Sequence, residues 1–129
     1  MIHVTGGTKK QREAAFNAAS FSWKEMFPRI NNCSIDIVLL KLEGRTGDCF
    51  ETDDREFEIR VDKTQDFEDF MTCIMHEMVH VKQHIRNEMK DYNYTTYEEY
   101  VNHPAEVEAY KMQEELFSKW KNGCFTAAQ

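Results

Sequence analysis

The sequence has no apolar stretch long enough to cross a membrane, and its first residues, Met1 to Thr5, are too short an apolar run for a secretory signal peptide. Basic residues are also in the minority, because 16 lysines and arginines stand against 23 aspartates and glutamates, for a formal net charge of −7. Phosphate contacts need a basic surface, so this charge argues against general nucleic-acid binding. We therefore expect a cytoplasmic protein with no membrane or nucleic-acid partner.

Cysteine pairs and repeats are missing as well. The four cysteines are scattered without a C-x-x-C pair, so the sequence predicts neither a zinc ribbon nor a thioredoxin-type site. In an intracellular protein we expect their thiols to be reduced. There are no internal repeats and no low-complexity segments. A chain of 129 residues with 41% hydrophobic content is then expected to form one globular domain over residues 1–129.

What the sequence does contain is an H-E-x-x-H segment running from His76 to His80. Two histidines four residues apart on a helix lie one turn above each other on the same face, so both imidazoles can reach one metal ion. Glu77 follows the first histidine directly and is predicted to be the general base that acts on a metal-activated water. Histidine ligands and a base at this spacing are typical of zinc peptidases.

The residues around this segment predict a helix with two different faces. Apolar residues recur at alternating spacings of four and three, the pattern of a buried helix face. His76 and His80 lie on the opposite side, which leaves them available for chemistry. Thr64 or Asp66 is expected to cap the helix N-terminus. The apolar positions are Phe67, Met71, Ile74, Met78, Val81 and Ile85.

Three further helical segments are predicted from periodicity and from helix start and stop signals. The first runs from Lys9 to about Phe27, with Thr8 as its N-cap and Pro28 after its end. A short helical turn is expected from Tyr97 to Val101. The last helix opens at Pro104 and continues to Gly123.

Two strands are predicted. The segment Ser34 to Leu42 is apolar at both parities, which indicates a central strand. The segment Glu56 to Val61 alternates strictly between apolar and charged residues, which we interpret as an edge strand to which an extended peptide could add. Residues Gly44 to Asp48 have the composition of a loop. We expect an α+β fold in which a small, mostly antiparallel sheet packs against an N-terminal helix, the H-E-x-x-H helix and a C-terminal helix.

A catalytic zinc ion needs a third protein ligand. The available side chains are His84, His103, Glu106 and Glu108. His84 extends the run of histidines, but three successive turns of one helix span about 12 Å, too far for all three imidazoles to meet one ion. Glu108 lies about 200° around the helix from Glu106, so it is expected to be solvated or paired.

The segment from Glu106 to Tyr110, E-V-E-A-Y, resembles the E-x-E-A-D segment of gluzincin metallopeptidases. Residue by residue, the resemblance implies His76, His80 and Glu106 as ligands of Zn²⁺ and Glu77 as general base. The order of elements is also similar to that of minimal gluzincins and ImmA/IrrE-type peptidases. It implies a zincin-like fold, with a C-terminal helix that supplies the glutamate ligand.

The chain departs from the gluzincin pattern at Tyr110, where the family has an aspartate that orients a ligand histidine. The Tyr110 hydroxyl could make that hydrogen bond, could stabilise an oxyanion, or the ring could simply pack. SprT-like peptidases also resemble this chain in their H-E-x-x-H helix, but their third ligand is a histidine, which would place His103 on the metal; we favour Glu106. The possible oxyanion donors are His103, Tyr92, Tyr94, Tyr97 and Tyr110.

The resemblance therefore implies a zinc metallopeptidase that hydrolyses a peptide bond in a peptide or protein substrate. In this mechanism Glu77 removes a proton from the attacking water and returns it to the leaving amine. The alternative from a different class is a non-catalytic interaction or regulatory module that keeps the zincin fold.

Overall fold

The computed structural model describes residues 1–88 and 95–127. Within these residues, four helices and one four-stranded mixed sheet make an α+β fold, as the sequence predicts. The elements in chain order are β1 (Ile2–Gly6), α1 (Lys9–Met26), β2 (Ser34–Leu40), β3 (Gly47–Asp53), β4 (Glu56–Asp62), α2 (Phe67–Ile85), α3 (Tyr97–Asn102) and α4 (Pro104–Ala127).

The sheet has the strand order β1-β2-β4-β3, and it is not mostly antiparallel as expected. The pairs β1/β2 and β2/β4 are parallel, and only β3/β4 is antiparallel. The sequence analysis missed two strands, β3 and β1, the latter a strand of five residues at the start of the chain. Because α1 connects β1 to β2, the chain returns to the same end of the sheet and the two strands run parallel.

The predicted edge strand, β4, is in fact an interior strand, and β3 is the edge. Alternation of buried and exposed residues reports which face of a sheet is covered, and it carries no information about which strand is outermost. Both β2 and β4 bury alternate residues on the face that the helices cover. Gly47 and Asp48 were predicted to lie in a loop, but they begin β3. The predicted central position of β2 in the sheet is confirmed.

The predicted helices are present, and their caps have the expected chemistry. Thr8 caps α1 and forms a capping box with Gln11, in which each side chain accepts a hydrogen bond from the other residue's backbone N–H. Asp66, and not Thr64, caps α2 by accepting from the Asp69 N–H. The short helix α3 and the start of α4 at Pro104 are also as predicted, although α4 continues past Gly123.

Helix α2 is the centre of the core. Most of its predicted apolar face packs on the sheet and α1, with Met71, Ile74, Met78 and Val81 fully buried, but Phe67 at the start of the helix is 57% exposed. The opposite face is also covered, because α4 lies across it and buries the two motif histidines. Tertiary packing thus turns a two-faced helix into one that is buried from Phe70 to Gln83. No helix in the described part of the chain is long and apolar enough to span a membrane.

Candidate metal centre

Three buried side chains from two helices converge at one point. His76 and His80 come from α2, and Glu106 comes from the first turn of α4. The Nε2 atom of His76 lies 3.1 Å from Oε1 of Glu106, and Nε2 of His80 lies 3.1 Å from Oε2. The Glu106 carboxylate is therefore placed between the two imidazole edges, with only 2% of the residue exposed.

This donor set fits a divalent metal ion. The potential ligand atoms of the three side chains all lie within 4.8 Å of one another. Ligands at about 2.0–2.1 Å from a tetrahedral zinc ion are about 3.3 Å apart, close to the two nitrogen to oxygen distances seen here. Two neutral imidazoles and a carboxylate are also among the donors that zinc accepts. The group of His76, His80 and Glu106 could therefore hold a metal ion.

The Nδ1 atom of each motif histidine is hydrogen-bonded to a glutamine. The Nδ1 atom of His76 lies 2.8 Å from Oε1 of Gln113, and Nδ1 of His80 lies 2.7 Å from Oε1 of Gln83. Both Nε2 atoms consequently point towards Glu106. Hydrogen bonds of this kind orient metal-binding imidazoles in proteins.

The electrostatics of the group are dominated by burial of charge. Burial alone would lower the pKa of His80, but its hydrogen bond with Glu106 and the nearby Glu77 raise that pKa overall. A buried carboxylate needs a positive partner, because an unpaired charge is costly away from water. The same negative charge that raises the pKa of His80 also favours the binding of a cation at this site.

Glu77 lies beside the candidate metal-binding group and is itself buried. Burial raises the pKa of its carboxyl to about 7, and the neighbouring Glu106 also raises it, whereas His80 and His76 act in the opposite direction. A carboxylate with a pKa near neutrality can both accept and return a proton at neutral pH. This environment suits the role of general base predicted from the sequence.

Glu77 faces an open cleft that consists of two cavities. The larger has a volume of ≈ 560 Å³ and the smaller ≈ 220 Å³. Gly47, Glu77 and Tyr100 line both, so the two cavities meet at the predicted base. The larger continues along β3 towards Phe50, and the smaller continues along the first half of α2. An extended, linear molecule could therefore lie in the cleft and occupy it on both sides of Glu77.

Gly47 allows β3 to approach Glu77 closely. A Cβ atom at this position would lie 2.7 Å from Sγ of Cys73, 3.0 Å from the Arg60 carbonyl oxygen and 3.3 Å from Oε2 of Glu77. These are closer than normal van der Waals contacts, so only glycine fits without movement. Cys73 is buried, and burial raises the pKa of its thiol to about 12.

We expect Gly47→Ala to lower the free energy of unfolding by about 1–3 kcal/mol, because the added methyl overpacks the contact between β3 and α2. Urea denaturation measures the change. The double variant Gly47→Ala/Cys73→Ala should recover part of the loss, since it removes the nearest atom. Gly123→Ala is the control, because a Cβ there meets no atom within 4 Å. Equal stability of Gly47→Ala and the unmodified chain would contradict this interpretation.

The other possible third ligands are engaged elsewhere. Nδ1 of His103 accepts a hydrogen bond from the Ala105 N–H and so helps to cap α4. The ring of His84 packs against Phe57, with 5.7 Å between the ring centroids. Glu108 is paired, as expected, with Lys82 at 2.9 Å. Within the described residues, the candidate metal-binding group includes none of these three side chains.

Tyr110 packs against a predicted ligand. Its ring centroid lies 4.6 Å from that of His76, and the residue lines the smaller cavity. The residue that hydrogen-bonds to Nδ1 of His76 is Gln113, which the sequence analysis missed. Its position one turn beyond Tyr110 on the same helix face could have indicated it, as could the place of Gln83 one turn after His80. Tyr92 and Tyr94 lie outside the described residues.

Comparison of the chain with protein-family models, with curated proteins and with solved structures finds no match.

Proposed function

We propose that this protein is a zinc-dependent peptidase of the gluzincin type. The observation that carries the proposal is the position of Glu106, whose two carboxylate oxygens each lie 3.1 Å from the Nε2 atom of a motif histidine. This supports the ligand set that the gluzincin resemblance implies. The buried Glu77, which lines both cavities of the cleft, adds a proton acceptor beside that ligand set.

His76, His80 and Glu106 would hold the zinc ion. A bound zinc ion would supply a Lewis acid that polarises the scissile carbonyl and lowers the pKa of water towards neutrality. Glu77 accepts a proton from the attacking water on its carboxylate and then returns that proton to the leaving amine. Burial keeps this carboxyl near the pKa that such a two-way transfer requires.

The substrate that fits this cleft is an extended peptide. Residues Gly47 to Phe50 of the edge strand β3 line the larger cavity, beside Glu77. The outer side of an edge strand presents unpaired backbone N–H and C=O groups, which can pair with an added strand. The peptide-binding strand that we assigned to residues 57–61 from the sequence is therefore reassigned to β3.

Tyr100 is the residue that we assign as hydroxyl donor to the developing oxyanion. It lines both cavities, whereas Tyr97 lines the larger and Tyr110 the smaller. We expect Tyr100→Phe to lower kcat by about 100-fold with little change in KM, because an oxyanion donor acts mainly in the transition state. Tyr97→Phe is the matched control, with a much smaller effect. Equal losses in the two variants in a peptide-cleavage assay would contradict the assignment.

Zinc content and peptide hydrolysis, measured on the same purified preparation, test the proposed function. We expect one zinc ion per chain and cleavage of an unfolded protein substrate. A chelator should abolish cleavage, and added zinc should restore it. One bound zinc without cleavage of any peptide in a diverse library would instead support the interaction module, and absence of zinc binding would refute the peptidase.

A further inference from the structure

Gln83 is a fully buried amide whose hydrogen-bonding groups are all engaged. Its Oε1 lies 2.7 Å from Nδ1 of His80, and its Nε2 donates to the Ala105 carbonyl and to Oε1 of Glu108, both at 2.9 Å. Only 1% of the residue is exposed. A buried side chain with every polar group engaged has one favourable orientation.

This network fixes the tautomer of His80. The Gln83 amide cannot rotate by 180°, because its oxygen would then face two acceptors, the Ala105 carbonyl and the Glu108 carboxylate. Its oxygen must therefore accept a hydrogen bond from His80, so that Nδ1 bears a proton. In the neutral imidazole the lone pair then lies on Nε2, the atom that faces Glu106.

Gln113 holds His76 in the same way but in a more open setting. Its Oε1 lies 2.8 Å from Nδ1 of His76, and its Nε2 donates to Glu114 at 3.1 Å. That second hydrogen bond is exposed, and Gln113 is only partly buried. The amide is thus held in the orientation that protonates Nδ1 of His76, but fewer buried groups constrain it.

We propose that Gln83 and Gln113 are positioning residues that set the affinity of the metal centre for its ion. Each is a neutral amide that directs the Nε2 lone pair of one histidine at the metal position. The proposal rests on the proposed zinc site. Gln83 has a second role, because its bond to Ala105 ties the His80 ligand to the turn of α4 that contains Glu106. It therefore positions two of the three ligands, whereas Gln113 positions one.

The neutral charge of both amides makes the proposal specific. A carboxylate in place of Gln113 would accept the same hydrogen bond from His76 with a full negative charge, making the imidazole a stronger donor to the metal. A carboxylate in place of Gln83 would also turn an oxygen towards Ala105 O and Glu108, where only a donor fits. The same substitution should therefore have opposite effects at the two sites.

The test is a competition titration of zinc against a chromophoric chelator at neutral pH, with the absorption spectrum of the Co²⁺-substituted protein as a second readout. We expect Gln113→Glu to tighten zinc binding by about tenfold and Gln83→Glu to weaken it. Gln113→Leu should weaken binding by about tenfold, and Gln83→Leu by up to about 100-fold. Both Gln83 variants should also alter the Co²⁺ spectrum, because they disturb the ligand geometry.

Gln11→Leu is the control, since it removes the amide from the capping box of α1 and leaves the metal centre alone. Opposite effects of glutamate at the two positions support the proposal, because lost stability alone would weaken binding in both. Affinities of both Gln113 variants equal to that of Gln11→Leu would overturn it, even if no Gln83 variant folds. If the zinc affinities of the variants change as expected but the protein cleaves no peptide, the proposed peptidase is refuted and the role of the two glutamines is retained. If the protein cleaves peptides but the zinc affinities of the variants are unchanged, the role of the glutamines is refuted and the peptidase is retained.

Discussion

Glu77→Gln is expected to lower kcat/KM for peptide hydrolysis by about 10²- to 10⁴-fold while the protein still binds one zinc ion per chain. The amide has nearly the shape of the carboxyl group it replaces, so the buried site keeps its packing. It cannot accept a proton from water, and that proton transfer is the step that we assign to Glu77. Steady-state cleavage of a fluorogenic peptide and zinc analysis of the same preparation measure the two quantities.

Glu68→Gln is the matched control for this variant. Glu68 lies in the exposed first turn of the same helix and lines neither cavity, so its substitution removes one negative charge from outside the lining of the cleft. We expect normal cleavage by Glu68→Gln. Cleavage by Glu77→Gln within a fewfold of the unmodified protein would contradict the assignment of Glu77 as base, and simultaneous loss of zinc would indicate a mainly structural role.

Glu106→Gln is expected to weaken zinc binding by more than about 100-fold. This is more than the loss expected when a residue that only hydrogen-bonds to a metal ligand is replaced. The reason is that a neutral amide replaces the charged oxygen donors that face both histidine Nε2 atoms. Zinc should raise the melting temperature of the unmodified protein, because a ligand that binds only the folded state stabilises it, and should leave that of Glu106→Gln unchanged.

His103→Gln is the matched comparison, because it tests the ligand that a SprT-like site would use. His103 accepts a hydrogen bond from the Ala105 N–H at the start of α4, so we expect its replacement to affect that helix start and to keep zinc affinity within a fewfold. The reverse result, zinc lost with His103→Gln and kept with Glu106→Gln, would show that the histidine is the third ligand.

Helices were predicted well because the information that specifies them is local. Thr8 and Asp66 satisfy backbone N–H groups within three residues of themselves, and the apolar spacing in α2 repeats at every turn. The pairing of strands was predicted poorly for the opposite reason. Strand β4 pairs in parallel with β2 and antiparallel with β3. The sequence of β3 has the glycine and acidic residues that are typical of a loop.

The sequence alone determined the arrangement of His76, Glu77 and His80, because the geometry of a single helix fixes their relative positions. Only the tertiary structure decided what meets them. Glu106 and Gln113 lie 30 and 37 residues from His76 along the chain, and they reach it because α4 packs across α2. Gly47 reaches Glu77 because β3, at the edge of the sheet, packs against α2. Such contacts depend on how whole elements dock, and side-chain spacing within one element does not contain that information.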